Sequence, residues 1–210
     1  MVSYAPSPWL FANNRAWAAG RVAEDPAYFR RLCGLQAPRY LWIGCADSRV
    51  PANQIVGLEP GELFVHRNVG NVFDPADANA MSVLQYAVEA LDVAHVIVCG
   101  HYECGGVQAA FGGALKPPLE GWIDYFRRVR EAHRRELDAL PGHEERWRRL
   151  CELNVAAQVA SVCRTDVVTS MWARGKRLTV HGWIYDLTDG LLRDLDLSTD
   201  GSGSRGSGGA

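Results

Sequence analysis

Three residues set two apart, Cys45, Asp47 and Arg49, close a hydrophobic run that reads LWIGCADSR from 41 to 49. A thiolate is a soft metal ligand, a carboxylate accepts hydrogen bonds, and a guanidinium grips a carboxylate with two parallel N–H donors. A second apolar run, HVIVCG at 95–100, leads into His101-Tyr-Glu-Cys104-Gly-Gly. His101 and Cys104 stand three apart, a spacing at which both can point at one atom where a strand turns into a helix. Gly105 and Gly106 allow close backbone approach there. Together Cys45, His101 and Cys104 make a Cys2His set suited to Zn2+. Three protein ligands and one open position is the pattern of catalytic zinc, whereas structural zinc takes four. The one obvious fourth donor is Asp47.

For these residues to meet, strands must deliver them to one edge. Residues 39–45 read as a buried strand, 62–66 as a second and 95–100 as a third. The segment VPANQIVGLEPGE between the first two has room for one helical turn. Leu84, Ala87, Val88 and Leu91 repeat at helical spacing just before the third strand. A helix followed by a buried strand predicts a crossover onto a parallel sheet, and such sheets collect ligands at the carboxyl ends of their strands. The fold class is therefore α/β, a mostly parallel central sheet flanked by helices. The first thirty-odd residues read as helical pieces, with Asp25 as an N-cap and Pro26 in the first turn. Residues 119–165 read as helix broken near Pro141-Gly142, followed by a helix over 166–175, a strand over 178–187 and an extended segment at 191–197. One domain over 1–197 is expected, with the helical pieces occupying 1–34. Residues 198–210 are Gly/Ser-rich and expected to be disordered.

The bulk properties exclude several classes. The 210 residues carry 22 basic and 24 acidic side chains, a net charge of −2, which gives no attraction to nucleic acid or an anionic membrane. The arginine-rich part of 119–165 has acids interleaved at helical spacing, Arg127/Glu131/Arg135 and Glu144/Arg148, and reads as a solvated face. No apolar run nears the roughly 20 residues that span a bilayer, and no secretory signal pattern opens the chain, so a cytoplasmic protein is the default. Six cysteines are too sparse for a disulfide scaffold, and no C-x-x-C suggests thiol redox chemistry. Cys33, Cys99, Cys151 and Cys163 read as core filling.

CADSR followed by HYECGG resembles the β-class carbonic anhydrases, whose signatures are C-x-D-x-R and H-x-x-C. The resemblance extends through GLEPGELFVHRNVGN and VHGWIYDLTDGLL, over most of 5–197. It implies one zinc per chain on Cys45, His101 and Cys104, and reversible hydration of CO2 to bicarbonate by a zinc-bound hydroxide. Arg49 would hold Asp47, which orients that hydroxide, and Asp47 would become the fourth ligand in an inactive state. The same likeness places Gln36, Phe64 and Tyr86 along the substrate pocket. It places Trp42, Gly44, Val50, Arg67 and Tyr185 at a second bicarbonate site that favours the inactive state at low pH, with Asn53 where many such relatives carry an acid. It also implies a homodimer or homotetramer, active sites at the dimer interface, and an N-terminal helical arm laid on a partner subunit. Two rival functions share these features: a carbonyl sulfide or carbon disulfide hydrolase on the same scaffold, and a non-catalytic, zinc-stabilised assembly protein.

Overall fold

The computed structural model describes residues 8–34 and 36–202. The chain divides into two compact units, Met1–Gln36 and Ala37–Ala210. In the first unit α1 (Pro8–Glu24) is followed by α2 (Tyr28–Leu32). Trp17 meets Tyr28 and Phe29 edge-on, with ring centroids 6.5 and 5.6 Å away. Neither helix buries a residue, and Trp9, Leu10, Phe11 and Trp17 stay exposed. Two sequence expectations change here. Asp25 is not the N-cap of α2, because its carboxylate closes a local turn on Ala27 N at 2.8 Å before the helix begins. Cys33 is exposed, since the five-residue helix it follows has no core around it.

The second unit is built on β1 (Tyr40–Cys45), β2 (Leu63–Asn68), β3 (His95–His101), β4 (Thr179–Tyr185) and β5 (Leu192–Asp194), in the spatial order β2-β1-β3-β4-β5. The first four are parallel and β5 is antiparallel to β4. Between them run α3 (Ala52–Ile55), α4 (Ala78–Gln85), α5 (Gly105–Gln108), α6 (Leu119–Ala132), α7 (Arg134–Asp138), α8 (His143–Cys163) and α9 (Asp166–Ala173). β1 and β3 are buried along almost their whole length, which is why they read as continuous apolar runs. Val155, Val159 and Val162 of α8 join Leu41, Val96, Val98 and Val180 of the sheet in the largest cluster of the core. No described helix is long and apolar enough to cross a membrane.

The helical repeat at 84–91 does not continue as one α-helix. From Tyr86 to Ala90 the backbone widens into a π-turn, and Leu91 N closes it on Tyr86 O at 3.0 Å. The 119–165 region breaks at His133 as well as near Pro141. Its ion pairs also differ from those the spacing suggests. Arg127 bonds Glu120 at 2.7 Å and Asp124 at 2.9 Å, while Arg134 takes Glu131. Arg148 lies 3.7 Å over the Tyr102 ring and donates to the buried Asp186 at 2.9 Å, a desolvated partner that outcompetes exposed Glu144. Residues 198–202 are not loose, because Thr199 pairs with Val180 through two 2.9 Å backbone bonds. The rest of the Gly/Ser tail lies outside the described residues.

Asp186 also accepts from the Thr188 hydroxyl at 2.7 Å and its N–H at 3.0 Å, and these bonds, with Arg148, hold its carboxyl well below the usual carboxylate range. A folded pKa below the unfolded value stabilises the protein above about pH 4 and loses that contribution as pH falls toward the folded value. Asp186→Asn should therefore lower stability at neutral pH and flatten the acid limb of urea unfolding midpoints against pH. An unchanged acid limb would show that this carboxylate is not linked to folding.

Candidate metal centre

The order β2-β1-β3 means that the chain leaves β1 toward one side of the sheet and reaches β3 on the other. The carboxyl ends of β1 and β3 thus flank a topological switch point, where crossovers diverge and leave a crevice. Gly44 pairs with Cys99 across these strands, so Cys45 and His101 lie one and two residues beyond the same rung. Cys104 follows at the tight turn into α5, where Glu103 takes a left-handed φ of 58°.

The Sγ atoms of Cys45 and Cys104 and a ring nitrogen of His101 all lie within 4.8 Å of one another, and all three residues are buried. The sulfurs are 4.0 Å apart. A tetrahedral zinc with bonds of about 2.3 Å sets two sulfurs about 3.8 Å apart, so the pair already has the needed separation. His101 Nδ1 is 2.8 Å from Tyr102 O, which as a donor contact fixes the tautomer and leaves a lone pair on Nε2. Nε2 is buried with no hydrogen-bond partner among the described residues. An orphaned imidazole nitrogen facing two thiols is a costly arrangement without a cation and a favourable one with it. The donor set fits zinc.

The two thiols differ. Cys45 Sγ accepts N–H groups from Gly70 at 3.2 Å and Asp47 at 3.4 Å. Its pKa is pulled down, first by the Cys104 S–H, then by His101 and these two amides, against its own burial. Cys104 is pushed up by the adjoining Cys45 thiolate and by burial. The site therefore accepts one negative charge readily and the second only alongside a cation. Elsewhere burial alone pushes Cys163 up to about 11 and leads the rise of Cys151 to about 12, which makes them inert core thiols.

Arg49 clamps Asp47 through Nε to Oδ1 at 3.0 Å and Nη2 to Oδ2 at 2.8 Å, and Arg49 N adds a third bond to Oδ1 at 2.9 Å. This bidentate grip holds the Asp47 carboxyl well below the usual carboxylate range. Arg49 Nη2 also reaches Glu103 O at 3.3 Å, tying the Asp47 turn to the loop that carries Cys104. Asp47 Oδ2 is 3.8 Å from His101 Nε2 yet outside the cluster formed by the three ligand atoms. Arg67 braces the same turn from β2, donating to Cys45 O at 2.7 Å and Asp47 O at 2.6 Å.

Of the residues read as pocket-lining, Phe64 and Tyr86 lie away from this centre within the second unit. Phe64 and Tyr86 sit together with ring centroids 5.9 Å apart, Tyr86 opening the π-turn. Phe64 pairs with Leu41, four residues before Cys45, or about 13 Å down the strand at 3.3 Å per residue. Gln36 is an exposed residue of the first unit. Trp42 is buried, and a Cβ at Gly44 would fall 2.2 Å from its Nε1, so only glycine admits that indole. Val50 is buried and donates its N–H to Asp47 O at 3.1 Å, and Tyr185 pairs with His101 at the strand ends. Asn53 Nδ2 is 3.4 Å from the carbonyls of both Leu58 and Glu59. Sequence reasoning did not find Gly70, whose φ of 73° turns its amide onto Cys45 and whose Cβ would strike Phe126 at 2.3 Å. It also passed over Trp122, Asn154 and Gln158. Polar residues four apart in the buried stretch 150–162 were the available signal.

Residues 40–192 match the carbonic anhydrase family. A carbonic anhydrase of Emericella nidulans is 48% identical over 192 residues, 91% of this chain and 84% of its own length. The Coccomyxa β-carbonic anhydrase, solved in complex with acetazolamide, has a TM-score of 0.89 at 42% identity, covering 95% of this chain and 90% of that one. A structure from work on two tetrameric β-carbonic anhydrases of Sordaria macrospora gives 0.87 at 39% identity, with 91% and 97% covered.

If the three convergent side chains are the ligands, Cys45→Ser and His101→Ala should each remove most bound metal, while Cys151→Ser should keep it. Elemental analysis after dialysis decides this, and full zinc in the first two variants would refute the ligand set.

Proposed function

The chain belongs to the β-carbonic anhydrase family, and on that premise we propose that it hydrates CO2 to bicarbonate and a proton at one zinc per chain held by Cys45, His101 and Cys104. The observation that carries the reading is the buried His101 Nε2, without a hydrogen-bond partner among the described residues, facing two sulfurs 4.0 Å apart. Zinc, when bound, supplies a Lewis acid that brings the pKa of a coordinated water toward neutrality. Asp47 accepts the O–H of the attacking water and aims its lone pair at the carbon of CO2. Arg49 keeps that carboxylate oriented and away from the donor cluster, and in the inactive state Asp47 would join Cys45, His101 and Cys104 in holding the metal.

Phe64, Tyr86 and Gln36 serve the pocket of a second copy. β2 is a sheet edge whose Val65 is 37% exposed, and Tyr86, packed beside Phe64 of that strand, is 49% exposed, as expected of a face that another subunit covers. The exposed Trp9, Phe11 and Trp17 of α1 suit an arm laid on a partner, giving a homodimer or homotetramer. A cytoplasm that keeps thiols reduced suits a site with two thiolates. Trp42, Gly44, Val50, Arg67 and Tyr185 form the second bicarbonate site. An anion taken up by Arg67 competes with the carbonyls of Cys45 and Asp47, and so loosens the turn that presents Asp47 to Arg49.

Stopped-flow CO2 hydration by the zinc-loaded protein tests the reaction, and turnover of carbonyl sulfide without CO2 hydration would overturn it. Asp47→Asn and Arg49→Ala should keep zinc and lower kcat/KM, on the order of 10²-fold for a misplaced reactive group. Near wild-type kcat/KM in Arg49→Ala would remove the restraining role. Added bicarbonate should inhibit the wild type more strongly as pH falls, and Tyr185→Phe should relieve that inhibition. Equal inhibition of both proteins at every pH would place the regulatory anion elsewhere.

A further inference from the structure

The loop after β2, Asn68 to Val72, contributes no metal ligand, yet α6 and α8 both hold it. Asn68 closes it with both ends of its amide, Oδ1 accepting from Val72 N at 2.8 Å and Nδ2 donating to Val72 O at 2.7 Å. From α6, Trp122 Nε1 donates to Val69 O at 2.8 Å. From α8, Asn154 Nδ2 donates to Gly70 O at 2.9 Å. Gln158 fixes Asn154 in turn, with Nε2 on Asn154 Oδ1 at 2.9 Å and Oε1 on Phe73 N at 2.9 Å. Between the two held carbonyls lies the Gly70 N–H, which donates to Cys45 Sγ at 3.2 Å.

Val69 O and Gly70 N are the two ends of one peptide group. A donor on that carbonyl polarises the N–H, which strengthens its bond to the sulfur. Asn154 is 1% exposed on a helix face whose neighbours Leu150, Leu153 and Val155 are apolar. Packing alone would be served by another leucine there, and a buried amide is worth its desolvation only through the bonds it makes. We propose that Trp122 and Asn154 are positioning residues for the metal centre, holding the Gly70 N–H on Cys45 so that its sulfur keeps one direction and one donor strength toward the metal. This inference rests on the reading that Cys45 binds zinc.

Trp122→Phe removes the indole donor and keeps a ring against Tyr125, whose centroid lies 5.3 Å away. Asn154→Asp keeps the shape and removes the donor to Gly70 O. An N–H bond to sulfur lowers the energy of its lone pair, so losing it should move the thiolate-to-cobalt charge-transfer band of the Co2+-loaded protein to lower energy. Zinc affinity, measured by chelator competition, should fall about 10–100-fold, as for other outer-shell partners of metal ligands. Val162→Ala, a buried α8 change in the largest core cluster, should lower Tm yet leave band and affinity unchanged. Trp122→Phe carries the test by itself if Asn154→Asp does not fold. A wild-type band and affinity in the variants, or an equal shift in Val162→Ala, overturns the positioning role alone. A wild type that binds neither Co2+ nor Zn2+ overturns the zinc reading and this inference with it.

Discussion

Two sulfurs 4.0 Å apart beside an imidazole nitrogen with no hydrogen-bond partner among the described residues form the contact around which the rest is arranged. Buried thiolates repel each other, and a buried lone pair without a proton or a cation is costly. The surroundings offset this cost from several sides. Backbone amides point at Cys45, the second nitrogen of His101 is engaged by Tyr102 O, and the nearest carboxylate is neutralised by Arg49. A pocket prepared in this way favours a divalent cation, because much of the ordering it demands is present before the ion arrives.

Strands provide position here and loops provide direction. Parallel pairing of β1 with β3 brings Cys45 and His101 to one crevice, but side-chain direction at a strand end depends on what the following loop does. The loop whose amide donates to Cys45 and the turn that carries Cys104 are each held by an indole from the helical layer. Trp122 bonds Val69 O above Cys45, and Trp147 donates to Cys104 O at 3.0 Å. Glycine is required where these loops close. A Cβ at Gly70 would strike Phe126 at 2.3 Å and one at Gly106 would meet Val69 at 2.8 Å.

The Asp47 turn is held differently. Its two carbonyl contacts come from Arg67 and its carboxylate contacts from Arg49, both largely exposed cations on flexible stems. The donor atoms are buried among neutral backbone groups, whereas the carboxylate beside them is set by a charge pair open to solvent. Charge pairs of that kind exchange partners at small cost, whereas packed buried amides do not. A packed set of donor side chains thus sits next to an adjustable carboxylate.

Much of the centre was legible in the residues themselves. Chain order and burial gave β1 and β3, because a strand covered on both faces must be apolar throughout. The types and spacing of Cys45, His101 and Cys104 named a zinc-type donor set before any coordinates. Local pattern also placed Asp47 and Arg49 within reach of each other, since residues two apart can meet at a turn. Non-local competition was not legible. Arg148 chose Asp186 over the helical neighbour Glu144 because its guanidinium can lie over the Tyr102 ring while it binds a buried carboxylate. The apolar repeat at 84–91 gave no sign that Tyr86 opens a π-turn, because periodicity reports a face and not the hydrogen-bond register along it. Cys33 looked like Cys163 in sequence and differs only in what surrounds it. Gly70, Trp122 and Asn154 come from three distant segments, and their common action on Cys45 exists only once α6, α8 and the loop after β2 are packed together. Residue types determined which chemistry was possible; tertiary packing decided which amide faces the sulfur, because a hydrogen bond depends on direction and a sequence records only order.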